Sequence, residues 1–435
     1  MLKHYDKREH GQVIILLAMA LAGLFGFAAL AIDGGMIYSD RRIAQNAADA
    51  AAMAGASAAA QAFMGGGAGV NYEDWNCNTV YSTANVPAKS DAINRASSND
   101  FSIDTDVSDK NGVTTYCGTV SNDHYYDVIV YITVETNTAF AHFVYGGPLV
   151  GVVEATARVR PRQPVGAGNA LISLTDECQG NQKGTTFGGN GDTEITGGGI
   201  WSNSCLNLNG ASGTITVTNG TVNYYDTYND HNMVINEPPA QTSSKMVIPA
   251  PTVNCGSNTG SISSGTATPG NYTNIRVNNN ETLSLNPGLY CLSGDFIVNG
   301  GGTLLGATEG VTIYLSNGKF STAGTSTVKL FAPPVDCDNS GPEPQCPPAI
   351  PGMLIYLAEG NTSTVSLAGT ADSEYVGTVF APSGFVDVGG NSSLLSDLGA
   401  NIIANNIKVH GDTDLNITYD ESVIWHTPIR TEVAQ

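Results

Sequence analysis

The spacing of apolar and polar positions divides the chain into stretches of different character. Residues 13–32 read VIILLAMALAGLFGFAALAI, 20 positions without a charge. As a helix, that length crosses a hydrocarbon core of about 30 Å. It exceeds the usual apolar core of a cleaved signal, about 7–15 residues, so an uncleaved anchor is the expectation. Ala29-Leu30-Ala31 offers a cleavage site and keeps a signal peptide as the rival. Residues 38–63 follow as YSDRRIAQNAADAAAMAGASAAAQAF. Ala is the strongest helix former. Ile43, Ala47, Ala50, Ala51 and Ala54 recur at three- and four-residue spacing and give one smooth stripe. A second, Ala-rich helix is therefore predicted. Asp33-Gly34-Gly35 is expected to bend or cap the chain between the two helices, and the glycine run at 65–69 to end the second.

After residue 100 the period drops to two. Strand-like runs fall at 101–107, 113–120, 127–136 and 150–159, and Val128, Val130, Ile132 and Val134 share a face. A helix leading into such strands predicts a small α+β domain over 33–160. Residues 71–99 read as mixed and polar. Pro161 and Pro164 with Gly166 and Gly168 mark a linker at 161–169.

From 170 to 420, short apolar runs such as 193–196, 213–217 and 303–305 alternate with Gly, Asn, Ser and Thr. The chain is thus predicted to be mainly β, its larger part a parallel β-helix, with a β-sandwich as the alternative. Ile313-Tyr314-Leu315 recurs as Ile355-Tyr356-Leu357, 42 positions on, and Leu330-Phe331-Ala332-Pro333 is echoed by Val379-Phe380-Ala381-Pro382. Read as two coils per copy, this gives about 21–25 residues per coil, the solenoid scale. Residues 421–435 remain as a C-terminal tail.

Composition narrows the function. The formal net charge is −21, with Lys plus Arg 18 against Asp plus Glu 39, so no basic face is available for nucleic acid. All eight cysteines follow the apolar run, which suits disulfides in an oxidising compartment. Proximity in sequence pairs Cys77 with Cys117, Cys178 with Cys205, Cys255 with Cys291, and Cys337 with Cys346 inside a Pro-rich insertion at 333–351. Lys3, Lys7 and Arg8 before the span barely outnumber Arg41 and Arg42 after it, so the basic residues orient it weakly. The cysteines place residues 1–12 in the cytoplasm and the bulk outside.

Candidate chemistry is sparse. Beyond residue 166 there are 23 acids against seven isolated Lys or Arg, which disfavours a lyase acting on acidic polysaccharide. Asp226, Asp230 and His231 form the one compact polar group and read as a solvated loop. A hydrolase of neutral glycans with two carboxylates stays as the enzyme alternative. Gly188-Gly189-Asn190-Gly191-Asp192 resembles a single Ca²⁺-binding nonapeptide, and Asp412, Asp414, Asp420 and Glu421 cluster; structural Ca²⁺ is the weaker reading of both. Six N-x-S/T sequons, at Asn219, Asn271, Asn280, Asn361, Asn391 and Asn416, follow from a composition rich in these residues.

One ordered string carries more. Gly11, the apolar run, Asp33, Gly35, Arg41 and then Gln45, Asn46, Asp49, Ala50, Gly55 and Ala56 stand in a fixed order over about 46 residues. The stretch resembles the TadE/TadG-like domain of tight-adherence (Flp) pilus-assembly proteins. Residues 125–160, ending Ala155-Thr156-Ala157, extend the likeness. Leu16 stands where a type IV prepilin has Glu, so prepilin processing is not supported. No Asp-x-Ser-x-Ser motif follows either. The resemblance implies a single-pass, non-enzymatic membrane protein without a cofactor. Its partners would be pilus-secretion components or further copies of the chain, and its interaction residues Asp33, Gly35, Arg41, Gln45, Asn46, Asp49 and Gly55. The β-helix would then project as a spacer or an adhesive surface, with surface glycans as one ligand class. A secreted adhesin or surface-layer component is the remaining alternative.

Overall fold

A computed structural model describes residues 10–64, 70, 72, 75–120, 123–143, 145–178, 183–255, 260–335, 349–390, 397–411 and 414–434. They form two compact units, residues 1–162 with 428–435, and residues 163–427.

In the first unit the expected bend is not there. One helix, α1 (His10–Met64), runs 55 residues straight through Gly34-Gly35. At 1.5 Å per residue it is roughly 80 Å long. Two glycines cost a helix only about 1 kcal/mol each, and the Ala-rich sequence that follows propagates it. Residues 71–99 also differ from the expectation, because α2 (Cys77–Ser97) is a helix. The Asn76 side chain caps it by accepting from the backbone N–H of Asn78 and Thr79. Its buried positions, Val80, Ala84, Ala88, Ala92 and Ala96, repeat every fourth residue. A stripe this narrow, made of Ala among Asn, Thr and Ser with Pro87 inside the helix, carries almost no apolar signal.

Strands β1 (Gly112–Val120), β2 (Asp123–Thr136) and β3 (Leu149–Arg160) form an antiparallel sheet. Residues 101–107, expected as a strand, lie outside it, with Ile103 buried. The expected C-terminal tail ends instead as a strand, Arg430–Ala434, which pairs with β3 from Thr156 to Arg160. The exposed edge of β3 is covered in this way. The core is small-residue on the helical side, with Ala44, Ala47, Ala48, Ala51 and Ala52 buried. It is β-branched on the sheet side, at Val128, Val130 and Ile132.

The second unit is a parallel solenoid of short strands. Each coil points one apolar residue inward per side, and the next coil covers it. Ile275, Phe296, Phe320, Val365, Val386 and Ile407 are such successive partners, all fully buried. Partners lie 21 residues apart at Ile275 and Phe296 and 24 apart at Phe296 and Phe320. The 42-residue repeat is one coil rather than two: Ile313, Tyr314 and Leu315 pair directly with Ile355, Tyr356 and Leu357. The Pro-rich insertion makes up the difference. Cys337 and Cys346 lie in it, outside the described residues.

The coils are not stacked in chain order. Asn169–Ser173 and Thr185–Gly189 pair on one side with the late strand Asp397–Gly411. Leu415–Thr418 pairs with Thr193–Thr196. The first and last segments of the unit thus share a coil in the middle of the stack. From there the chain builds outward to Ala240–Gln241, and it starts the other half at Ser261–Ile262. The segment between them returns along one side. Met246, Ile248, Ala250 and Val253 cover an outward ladder of Tyr314, Tyr356 and Phe380, whose rings lie 5.1 and 5.4 Å apart. Asn203 exchanges two hydrogen bonds with the Met246 backbone, and the Tyr356 hydroxyl donates to the Pro251 carbonyl.

Candidate functional site

The residues singled out between positions 33 and 56 all lie on α1, and the fold divides them into clamps and exposed positions. Asp33 is buried, at 6% exposure. Its Oδ1 accepts from the backbone N–H of Ala139 at 2.7 Å and Phe140 at 3.1 Å, and its Oδ2 from Ala141 at 2.6 Å. The carboxylate therefore caps the short 3₁₀ turn Ala141–Phe143 across more than a hundred residues of sequence. Burial pushes this carboxyl up, but the three N–H donors and nearby His142 outweigh it and hold the group below its ordinary range. Asp40 repeats the device one coil of helix later, accepting from the Thr136 hydroxyl at 2.8 Å.

Gln45 donates from one amide nitrogen to Asp49 at 2.9 Å and to the Glu154 carbonyl at 3.0 Å, so it ties α1 to β3. Gly55 serves close approach. A Cβ there would stand 2.8 Å from the Ala88 carbonyl oxygen and 2.9 Å from Val128 Cγ1. α2 and β2 both press on that point, and only Gly leaves the room. Asp33, Gln45, Asp49 and Gly55 thus position the domain on its helix.

Gly35, Arg41 and Asn46 are exposed, in line with Arg42, Ser57 and Gln61 on the outward side of α1. A Cβ on Gly34 or Gly35 would meet nothing within 4 Å. Ile43, placed by periodicity in the apolar stripe, is 54% exposed, and Ala44 and Ala48 take its side of the core. A pattern of three- and four-residue steps in an Ala-rich run fits more than one face, and packing selects among them.

Two further features fix the sheet. Arg158 makes a two-pronged ion pair with Asp127, at 2.8 and 2.9 Å, while its guanidinium lies 3.6 Å over the Tyr125 ring. A disulfide joins Cys77 to Cys117, at the start of α2 and on β1. The Tyr126 hydroxyl donates to Asn85 of α2, and burial pushes its phenol up to about 12.

In the solenoid the sequence candidates lie apart from one another. Asp226, Asp230 and His231 are exposed. Asp226 lies beside Cys178 and Cys205, but those sulfurs are joined to each other, which leaves one carboxylate and no ligand set. Lys183 pairs with Glu177 nearby, and Lys245 with Asp176 at 2.7 Å. Asp192 accepts from the Thr214 backbone, and Asp414 from that of Asp192, so both carboxylates join turns of neighbouring coils. Asp412 and Asn391 lie outside the described residues. Asn361, one of the sequons, is 5% exposed, and its amide donates to the Leu315 and Gly318 carbonyls. Cys255 is bonded to Cys291 and anchors the returning segment.

Sequence reasoning missed Asp40 and the acceptor role of Asp33. Neither a periodicity nor a motif links position 33 to position 140; only the return of β2 beside α1 does. No curated protein and no solved structure matches the chain. Residues 11–60 match the Flp pilus-assembly TadE/G-like family. That range runs from the first turn of α1 to its last, through the apolar run, the Asp33 clamp and Gly55; the N-terminal part of this chain is a TadE/G-like domain of the Flp pilus-assembly kind.

Proposed function

We propose that this chain is a membrane-anchored structural protein of a tight-adherence (Flp) pilus-assembly system. The observation that carries the proposal is the coincidence of two signals on one helix. The TadE/G-like match over 11–60 contains the whole charge-free run of residues 13–32. That run has its side chains exposed, as an anchor in lipid requires. Three disulfides among the described residues support an oxidising compartment for everything after the span, which puts residues 1–12 in the cytoplasm. Pilus-secretion components or further copies of the chain would read the outward side of α1, at Gly35, Arg41 and Asn46. The solenoid would act outside as a rigid spacer or an adhesive surface, with surface glycans as its ligand class. The reading assigns no catalysis; the exposed, separated placement of Asp226, Asp230 and His231 supports that choice.

Co-purification from native membranes, with mass spectrometry of partners and of the protein's own N-terminus, tests the proposal. Recovery of an intact N-terminus together with pilus-secretion components is the expected result. A soluble protein lacking its first 31 residues, without such partners, would replace it by the secreted adhesin. Turnover on a glycan panel that vanishes when paired carboxylates are changed would replace it by the enzyme.

A further inference from the structure

The apolar run ends at Ile32, and the next residue is the Asp33 clamp. Three hydrogen bonds of 2.6 to 3.1 Å hold the backbone of residues 139–141 against that carboxylate. With 1.5 Å of rise per residue, Asp33 sits about one step beyond the end of the span. The connection between β2 and β3 is therefore fixed at the depth of the membrane boundary, although nothing in its own sequence requires this. It carries an unusual surface for a short loop. Phe140 is 43% exposed, Phe143 78% and Tyr145 57%. The exposed side chains of Phe27 and Leu30 precede them on the helix, and exposed Tyr38 follows. Three aromatic rings in water on one loop are unfavourable. The same rings are favourable at a bilayer surface, where an apolar body meets lipid and a polar edge meets headgroups.

We propose that the loop 137–148 is an interfacial membrane anchor. Phe140, Phe143 and Tyr145 enter the headgroup boundary of the bilayer that α1 spans and hold the domain at a set height on its helix. The occupant is lipid, because the Asp33 clamp places the loop directly after the apolar run. Insertion to about 5–10 Å would be typical of such anchors. The proposal rests on the reading of residues 13–32 as a membrane span, and its test separates the two.

Full-length protein carrying one added tryptophan is placed in phosphatidylcholine vesicles, with or without bromine on the acyl chains. Emission is read as the difference from the parent protein. The probes are Phe143→Trp, Tyr145→Trp, Leu24→Trp within the span, and Val86→Trp on the exposed side of α2, which is 77% exposed. The expected result is blue-shifted emission from both loop probes and from Leu24→Trp, lost for the most part in brominated vesicles and shielded from aqueous iodide. Val86→Trp should behave oppositely. Quenching of Leu24→Trp alone would overturn the loop anchor and leave the span. Iodide shielding of the loop probes without bromine quenching would assign the patch to a protein partner and overturn the lipid proposal. Absence of bromine quenching at every probe would overturn both.

Discussion

The two units of this protein reach compactness by opposite means. The N-terminal unit is built with small residues. Ala44, Ala48, Ala52, Ala88, Ala92 and Gly55 let backbones approach until carbonyl oxygens touch side chains. The solenoid is built with large ones, where Phe296 lies 5.2 Å from Phe320 and the same side-chain position is filled coil after coil. A close-packed small-residue contact gains little apolar area per residue, so it depends on shape and on polar clamps such as Asp33 and Gln45. A stacked ladder gains area at every step and needs few clamps. The first kind of packing fixes one geometry. The second extends by repetition and tolerates an insertion such as residues 333–351 between two paired strands.

That contrast can be broken at either end. The largest loss is expected for Phe320→Ala, which opens a void between Phe296 and Val365. Truncating a buried Phe costs about 3–5 kcal/mol, and denaturant unfolding followed in the solenoid should read that loss while the N-terminal unit keeps its transition. Removing the first disulfide by Cys77→Ser with Cys117→Ser should cost about 2–4 kcal/mol through the freed unfolded chain. Here the N-terminal transition alone should move. If both transitions moved together, the two units would not unfold independently. Gly55→Val should cost about 1–3 kcal/mol by overpacking, because its nearest neighbour is a backbone oxygen that cannot turn aside. A loss of tertiary signal with retained helicity would mark that wedge between α1 and α2.

The smallest expected effect is electrostatic. Asp33 has a folded-state pKa below its ordinary 3.8. The stability it supplies is therefore complete above that ordinary value and is lost as pH falls through the lowered one. In the acid limb of a stability–pH curve, Asp33→Asn should remove part of the slope and leave the neutral plateau otherwise parallel. An unchanged acid limb would show that the three N–H donors do not favour the charged form.

Several features were legible because they are local. The charge-free run, the Ala-rich helix, the alternating strand over 127–136 and the solenoid composition all follow from periodicities of 3.6 or 2 within short windows. The disulfides joining Cys77 to Cys117, Cys178 to Cys205 and Cys255 to Cys291 connect cysteines that are also neighbours in sequence. The failures have physical causes too. Helix α2 was hidden because its core stripe is Ala at every fourth position among polar residues. Asp33-Gly34-Gly35 suggested a break, yet helix propagation across two glycines costs less than the flanking sequence supplies.

By itself, then, the sequence determined that an apolar span leads into a TadE/G-like helix, and that a Gly- and Asn-rich solenoid follows. Tertiary structure alone decided three things. It chose which face of the Ala-rich helix is covered, since several faces fit the same spacing. It joined Asn169–Ser173 to Asp397–Gly411 and so put the start of the solenoid unit in the middle of its stack. It brought Asp33 to the loop at 139–141. Each is a contact between residues more than a hundred positions apart or a choice among equivalent faces. Such outcomes depend on which surfaces meet in space, and no local pattern encodes that.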